Sequence, residues 1–446
     1  MPERYDAIVI GAGPAGEVAA SRLPKLGLRT AHVERELVGG ECANWACNPS
    51  QTLLRPPEVR FEAQRTAGTA APEQSWSEVA EYRDYMIRHL DDRDQVAGYE
   101  RDGVRVYKSE ARFPGPRRVE VGGAQLESER IIVATGSDPA VPDIPGLREA
   151  GYWTNREATN LHEIPASVVV LGGGPVGIEL GQFLRRFGAE VTLVQRPDRL
   201  LPREDPAVGE LIGEWLREDG IDVRLGSRAI EVERQGARRV VRLADGSVAA
   251  ADELLVATGR RPRVDGLDAL DIEVGVRGVA IDGRCRAADG VWAIGDVTGV
   301  MPFTHVGMYQ ARVVVDDIAG RSRAADYGAI PRVVFSDPEI AAVGLTEQRA
   351  REQGIEVATA RVSLPDAIAR PWTYEKDPRG ELGLVADTRR GRLVGAWAVA
   401  PLAGEWIHYA ALAIKTGTSL DVLRDTVAQF PTFSEAFLKG LEAIDA

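Results

Sequence analysis

The stretch Tyr5-Asp6-Ala7-Ile8-Val9-Ile10-Gly11-Ala12-Gly13-Pro14-Ala15-Gly16 decides the fold. Its first half is a short apolar run of the kind a parallel sheet buries on both faces. Its second half places glycines where a helix begins. A helical stretch from about Pro14 to Leu26, a second strand from Arg29 to Val33, and Glu34 follow in order. Glycines in that turn let the backbone approach a pyrophosphate at a helix N-terminus, and an acid about 20 residues on binds a ribose diol. The glycines alone are a weak signal. Strand, glycines, helix, strand and acid in register complete the dinucleotide-binding pattern, with Gly11, Gly13, Gly16 and Glu34 as the candidate contacts.

The pattern returns once. Val168 to Leu171 reads as a strand, Gly172-Gly173-Gly174-Pro175-Val176-Gly177 as the loop, Ile178 to Phe187 as the helix and Glu190 to Val194 as the next strand. Gly172, Gly174 and Gly177 are the candidate contacts. Two such sites imply two nucleotides, with electrons passing between them. Where an acid would select NADH, the second strand ends in Gln195-Arg196, with Arg199 and Arg203 close behind. A carboxylate repels a 2′-phosphate and a guanidinium binds it bidentately, so Arg196 favours NADPH over NADH.

The bulk numbers bound the class. The 446 residues suggest several domains with ample core. No uncharged apolar run is long enough to span a bilayer, and the early apolar run follows charged residues and leads into glycines, unlike a secretory signal. A cytoplasmic protein is expected. The net charge of −13 argues against nucleic acid and anionic membranes as partners, since both require basic surface. No metal site is read from the sequence. Three cysteines cannot form a disulfide scaffold, so any disulfide here is redox-active.

Cys42 and Cys47 lie within Gly39-Gly40-Glu41-Cys42-Ala43-Asn44-Trp45-Ala46-Cys47-Asn48-Pro49-Ser50-Gln51. On an undistorted helix, positions five apart have Cα atoms roughly 8 to 9 Å apart. A disulfide tolerates less than about 7 Å. Bonding them therefore requires a break in the helix, which the flanking glycines and Pro49 permit. Unbonded, two such cysteines would pack as small hydrophobes.

Further along, Arg55 to Tyr99 has helical period, and Arg105 to Glu127 reads as an antiparallel meander. Ile131 to Gly136 and Leu254 to Gly259 are near-copies, each a buried strand ending in Thr-Gly. Val291 to Asp296 is a strand ending in Gly-Asp. Thr304-His305 precedes a helix from about Met308 to Ile318. After Ala329, strands around Arg332 to Phe335 and Leu382 to Val399 flank a helix from Thr346 to Gln353, and a long helix runs from Leu402 to Lys415.

In this order the motifs resemble those of the class I pyridine nucleotide-disulfide oxidoreductases, such as lipoamide dehydrogenase, glutathione reductase and mercuric reductase. The resemblance covers essentially the whole chain. It implies an α/β fold with two Rossmann-like dinucleotide-binding domains plus an α+β C-terminal dimerisation domain. The FAD-binding domain would comprise residues 1-152 and 270-328, the NAD(P)-binding domain 153-269 and the dimer-interface domain 329-446 of a homodimer. Carried over residue by residue, Glu34 binds the FAD ribose and Asp296 the ribityl chain, and Ala111, Thr135, Gly136, Gly259 and Gly295 complete the cofactor contacts. Cys42 becomes the thiol that exchanges with substrate and Cys47 the one beside the flavin, joined as a redox-active disulfide.

Three departures matter. The family usually continues Pro-Ser-Lys, its lysine pairing with a glutamate just after the second glycine loop. Here Glu179 is present but Gln51 takes the lysine's place, and a neutral amide cannot offset a charge. The family's C-terminal His-Pro-Thr is Phe430-Pro431-Thr432, with the histidine's orienting partner Glu435 retained. Losing a positioned acid/base typically costs about 10² to 10⁴ in rate. Of the five histidines, only His408 is a conceivable stand-in. Lastly, the chain has no cysteine pair near its C-terminus, where mercuric reductases and the large thioredoxin reductases carry one, so those two activities are not expected, and Cys285 is single and expected to be inert.

The expected function is therefore electron transfer from NAD(P)H through FAD and Cys42-Cys47 to a small-molecule acceptor: a disulfide other than lipoamide or glutathione disulfide, a metal ion or a quinone. One alternative is a dithiol oxidase that makes a disulfide in a small molecule and passes electrons to oxygen. Another is a flavin-binding homologue without turnover.

Overall fold

The computed structural model describes residues 1–444, and their chain divides into two compact units. The first comprises Met1–Ser50, Glu81–Ala140 and Gly259–Asp326. The second comprises Gln51–Ala80, Val141–Thr258 and the residues from Tyr327 onward.

The first unit is built on a six-stranded sheet in the order Arg286–Ala288, Val291–Ala293, Ile131–Val133, Ala7–Ile10, Thr30–Glu34, Val104–Lys108. All neighbours run parallel except the edge strand Arg286–Ala288. Ala7–Ile10 is buried along its length, as a central parallel strand covered on both faces must be. Ile8, Ile10, Val33 and Val133 pack in one core. Ala7, Val9 and Ile132 share another with Ala19 of helix Pro14–Arg22 and Val314 of helix Thr304–Ile318. The two helices approach closely at Gly307, where a Cβ would stand 3.0 Å from Ala15 Cβ.

The expected meander is shorter than its sequence suggested. Val104–Lys108 pairs in parallel with Thr30–Glu34 and edges the large sheet. The antiparallel strands are Ala111–Gly115, Arg118–Val121 and Ala124–Glu127, in a separate sheet with Glu3–Arg4.

The second unit carries a parallel sheet in the order Asp222–Arg224, Glu190–Val194, Ser167–Leu171, Glu253–Val256, together with a three-stranded and a five-stranded antiparallel sheet. Leu382, Leu384 and Ala398 of the five-stranded sheet pack with Ala410 and Phe437 of helices His408–Thr416 and Glu435–Ala443. The single helix expected over Leu402 to Lys415 is two, Ala403–Trp406 and His408–Thr416. A buried ion cluster ties helix Pro175–Arg186 to the turn at Asp337. The Arg186 side chain, 4% exposed, meets Asp337 at 2.7 Å and Asp219 at 2.9 Å, and Arg65 meets Asp337 at 2.9 Å. Gln182 holds the same turn from both sides, donating to the Asp337 carbonyl at 2.9 Å and accepting its N–H at 2.8 Å.

Candidate functional site

The two glycine loops share one geometry. A Cβ on Gly11 would lie 2.2 Å from the Ala134 carbonyl oxygen and one on Gly172 2.3 Å from that of Ala257. A Cβ on Gly16 would meet the Gly11 oxygen at 1.9 Å, and one on Gly177 the Gly172 oxygen at the same 1.9 Å. These four glycines are forced by packing between strand, loop and helix. Gly13 and Gly174 are different, since a Cβ there meets nothing within 4 Å. Each opens the loop backbone to a ligand at a helix that begins with proline and has no side-chain cap.

The strand ends correspond too. Glu34 accepts the Ala12 N–H at 2.7 Å, and the Gln195 amide oxygen accepts the Gly173 N–H at 2.8 Å. Gln195 thus takes in the second loop the place Glu34 takes in the first, without the charge. The other end of its amide donates to the Arg199 carbonyl at 3.3 Å. Arg196 is exposed. Behind the first loop, His32 donates from Nε2 to the Gly11 carbonyl at 3.1 Å, and burial pulls its pKa down to about 4, which keeps it neutral.

Cys42 belongs to the short helix Gly40–Asn44, and Cys47 begins the next, Cys47–Arg65. The break between them at Trp45 and Ala46 is the departure from helix that the five-residue spacing required. Both are free thiols, half-buried, and both lie against Thr304. Its Oγ1 donates to Cys42 Sγ at 3.3 Å and stands 3.5 Å from Cys47 Sγ. The hydrogen bond from Cys42 pulls the Cys47 pKa down to about 6 despite burial, with Thr304 assisting and Asp296 opposing. Cys42 is driven strongly the other way, by the same hydrogen bond, by burial and by the Cys47 charge. The two shifts run in opposite directions, toward one thiol at Cys42 and one thiolate at Cys47.

Sequence reading missed Thr304 because it began this helix at Met308, and the helix begins at Thr304.

Asp296 follows Gly295 in the turn Gly295–Thr298. Its carboxylate accepts the Ser137 hydroxyl at 2.6 Å, with Arg260 Nε at 3.8 Å. Thr135 donates to the Arg263 carbonyl at 2.7 Å, and Gly136 accepts the Arg263 N–H at 2.9 Å. Gly259 lies at the start of the adjoining segment with φ 129°, and Ala111 opens the first strand of the small sheet, paired with Val121. Arg88, in a left-handed turn with His89 and Leu90, has a buried Nε without a hydrogen-bond partner and points a terminal nitrogen toward Gly39, next to the first loop. The open backbone at Gly13 and Gly174, with Glu34 and the neutral Gln195 beside them, fits two dinucleotides.

The remaining predicted residues, Cys285 apart, belong to the second unit. Gln51 is half-buried on helix Cys47–Arg65. Glu179 accepts the Phe335 N–H at 2.9 Å. Phe430 is 73% exposed, whereas Phe433 is buried against Trp406 and Tyr374. Glu435 begins the helix Glu435–Ala443, with one carboxylate oxygen buried and unpartnered. His408 is exposed at a helix start, and Cys285 is fully buried. Among the described residues no helix is long and apolar enough to cross a membrane.

Two glycine loops of one geometry, with a pair of thiols in the unit that holds the first, are the arrangement of a flavin-type redox protein. Residues 5–311 match the model of the pyridine nucleotide-disulphide oxidoreductases and residues 330–440 that of their dimerisation domain. The chain belongs to this family, and it is an FAD-dependent oxidoreductase. It is 35% identical to a mercuric reductase of Bacillus cereus, over 99% of this chain and 72% of that protein. It is also 35% identical to a dihydrolipoyl dehydrogenase of Thermus scotoductus, over 99% of this chain and 97% of that one. Among solved structures it resembles the Cu(II) complex of the HOCl-induced flavoprotein disulfide reductase RclA from Escherichia coli, with TM-score 0.88 and 28% identity over 98% of this chain and all of that one.

Proposed function

We propose that this enzyme passes electrons from NADPH to an acceptor through a Cys42–Cys47 dithiol that cycles with its disulfide. The observation that carries this reading is the single Thr304 hydroxyl against both sulfurs, with the Cys42 hydrogen bond pulling the Cys47 pKa down. FAD, when bound, supplies two-electron exchange between nicotinamide and sulfur. Gly13 and Glu34 would hold its pyrophosphate and ribose; Gly174 would take the NADPH pyrophosphate, and Arg196 the 2′-phosphate.

The acceptor is one that needs no positioned acid. Phe430 moves no proton, so a metal ion, a quinone or a disulfide with a good leaving thiolate suits the site better than lipoamide or glutathione disulfide. The mercuric reductase relatives and the Cu(II) complex of RclA favour the metal ion. The division into FAD-binding (1–152, 270–328), NAD(P)-binding (153–269) and dimer-interface (329–446) domains, the homodimer and a cytoplasmic location belong to the same reading. Dithiol oxidation driven by oxygen is a weaker second reading, since the second glycine loop retains an open approach at Gly174.

The test compares wild type with Cys42→Ser and Cys47→Ser in NADPH-driven reduction of Hg(II), Cu(II), quinones and aromatic disulfides. Loss of turnover in both variants supports the reading. Turnover at the wild-type rate in either would remove it.

A further inference from the structure

The first glycine loop has already spent part of its donors. Gly11 N–H goes to the Val33 carbonyl at 2.8 Å and Ala12 N–H to the Glu34 carboxylate at 2.7 Å. Negative charge also stands close, since Glu17 lies in the first turn of helix Pro14–Arg22 and Glu34 touches the loop itself. A dinucleotide's diphosphate brings more, which the helix start offsets only in part. A guanidinium beside it would bind that charge through a fork of N–H groups.

Most cations of this region are committed. Lys108 is held by Asp92 and the Glu36 carbonyl, Arg35 faces Asp138 at 4.0 Å, and Arg263 pairs with Asp138 at 2.6 Å and Glu41 at 3.4 Å. Arg88 makes no ion pair among the described residues. Its buried Nε lacks a hydrogen-bond partner, and the Glu17 carboxyl, pushed up by burial, feels its charge from a distance. A terminal nitrogen of Arg88 would stand 3.4 Å from a Cβ on Gly39, and a Cβ on Gly40 would stand 2.7 Å from Gly13 Cα. The glycine pair alone separates the guanidinium from the first loop.

The turn that carries Arg88 is strained and firmly held. Arg88, His89 and Leu90 have left-handed φ of 56°, 51° and 58°. L residues adopt that conformation singly, so a run of three persists only where the surroundings fix it. Asp92, just beyond, meets Lys108 and accepts the Val38 N–H at 2.8 Å. Asn44, buried, donates to the Val38 carbonyl at 3.2 Å and the Gly40 carbonyl at 2.9 Å, and Gly39 N–H reaches the Ala12 carbonyl at 2.7 Å. Turn, glycine pair and loop are thereby tied together.

We propose that Arg88 binds the diphosphate of the dinucleotide at the first glycine loop, its guanidinium supplying the positive charge that the loop's own residues lack. The inference rests on the placement of FAD at that loop and adds the residue that would hold its charge.

The experiment is FAD retention: purified holoenzyme is diluted at low and at high salt, released flavin is read by its fluorescence, and the melting temperature is measured alongside. Arg88→Gln should raise the dissociation constant for FAD about tenfold or more at low salt, with a smaller gap at high salt. Arg88→Lys, which keeps the charge without the fork, should recover part of the loss. Arg88→Met makes the same comparison if the glutamine variant does not fold. In a Glu17→Gln background, Arg88→Gln should weaken FAD by a similar factor. Wild-type retention in Arg88→Gln overturns the proposal, as does an effect that disappears once Glu17 is neutral, which would make Arg88 a counter-charge to Glu17. Failure of the FAD placement looks different: Gly13→Ala, whose Cβ meets no protein atom within 4 Å, would then retain FAD like wild type.

Discussion

At the scale of single residues, the proposed choice of acceptor turns on Phe430 and Glu435. Phe430 is exposed and Glu435 keeps a buried, unpartnered carboxylate oxygen; the proposed reading takes the first as standing in place of a proton carrier and the second as that carrier's partner. On that reading an imidazole at position 430 gains Glu435 as its partner. Phe430→His is expected to raise turnover of unactivated disulfides by at least about tenfold, out of the roughly 10² to 10⁴ a positioned acid/base supplies, and to change metal-ion reduction little. Steady-state rates with both acceptor classes check this; equal effects on both would contradict it.

At the scale of elements, the glycine loops separate glycines that the fold needs from glycines that the ligand needs. Gly177→Ala would drive a Cβ to 1.9 Å from the Gly172 oxygen and should lower the melting temperature of the protein. A Cβ on Gly174 meets no protein atom within 4 Å, so Gly174→Ala should leave thermal stability nearly unchanged while raising the KM for NADPH about tenfold or more. Calorimetry and initial rates measure the two. These loops were legible in the sequence because every feature that defines them is local: a buried strand, close-packed glycines and the residue ending the next strand. The correspondence of Gln195 with Glu34 was legible for the same reason. Thr304 was not, since its meaning depends on a contact with Cys42 and Cys47 some 260 residues away in the chain. The edge strand Val104–Lys108 was misread because alternating burial is common to a sheet edge and a meander.

At the scale of the whole molecule, two buried carboxylates set opposite pH dependences. Burial pushes Asp337 up, but Arg186 and Arg65 outweigh it and hold the carboxyl below its usual range. Its stabilising effect is present above the unfolded pKa of about 3.9 and is lost as pH falls through the folded value. Asp337→Asn takes one carboxylate from Arg186, which keeps Asp219, and one from Arg65, which keeps Glu375, and should cost about 1–3 kcal/mol at pH 7 by denaturant unfolding. Glu339 runs the other way. Burial pushes it up to about 7, opposed by the Gly404 N–H and aided by Glu58 and Glu405. Its contribution is present below the unfolded pKa of about 4.3 and is lost as pH rises through 7. Glu339→Gln should then be more stable than wild type by about 1–3 kcal/mol at pH 8, with the difference vanishing near pH 4. A gap that does not change with pH would sink that assignment.

The most direct measurement for the molecule as a whole is anaerobic titration with NADPH, followed by absorbance. Wild type should take up two electrons with a long-wavelength band from the Cys47 thiolate against the flavin, and the band should be absent from Cys47→Ser. Direct bleaching of the flavin in wild type, with no such band and no difference from Cys47→Ser, would contradict a dithiol between NADPH and the acceptor.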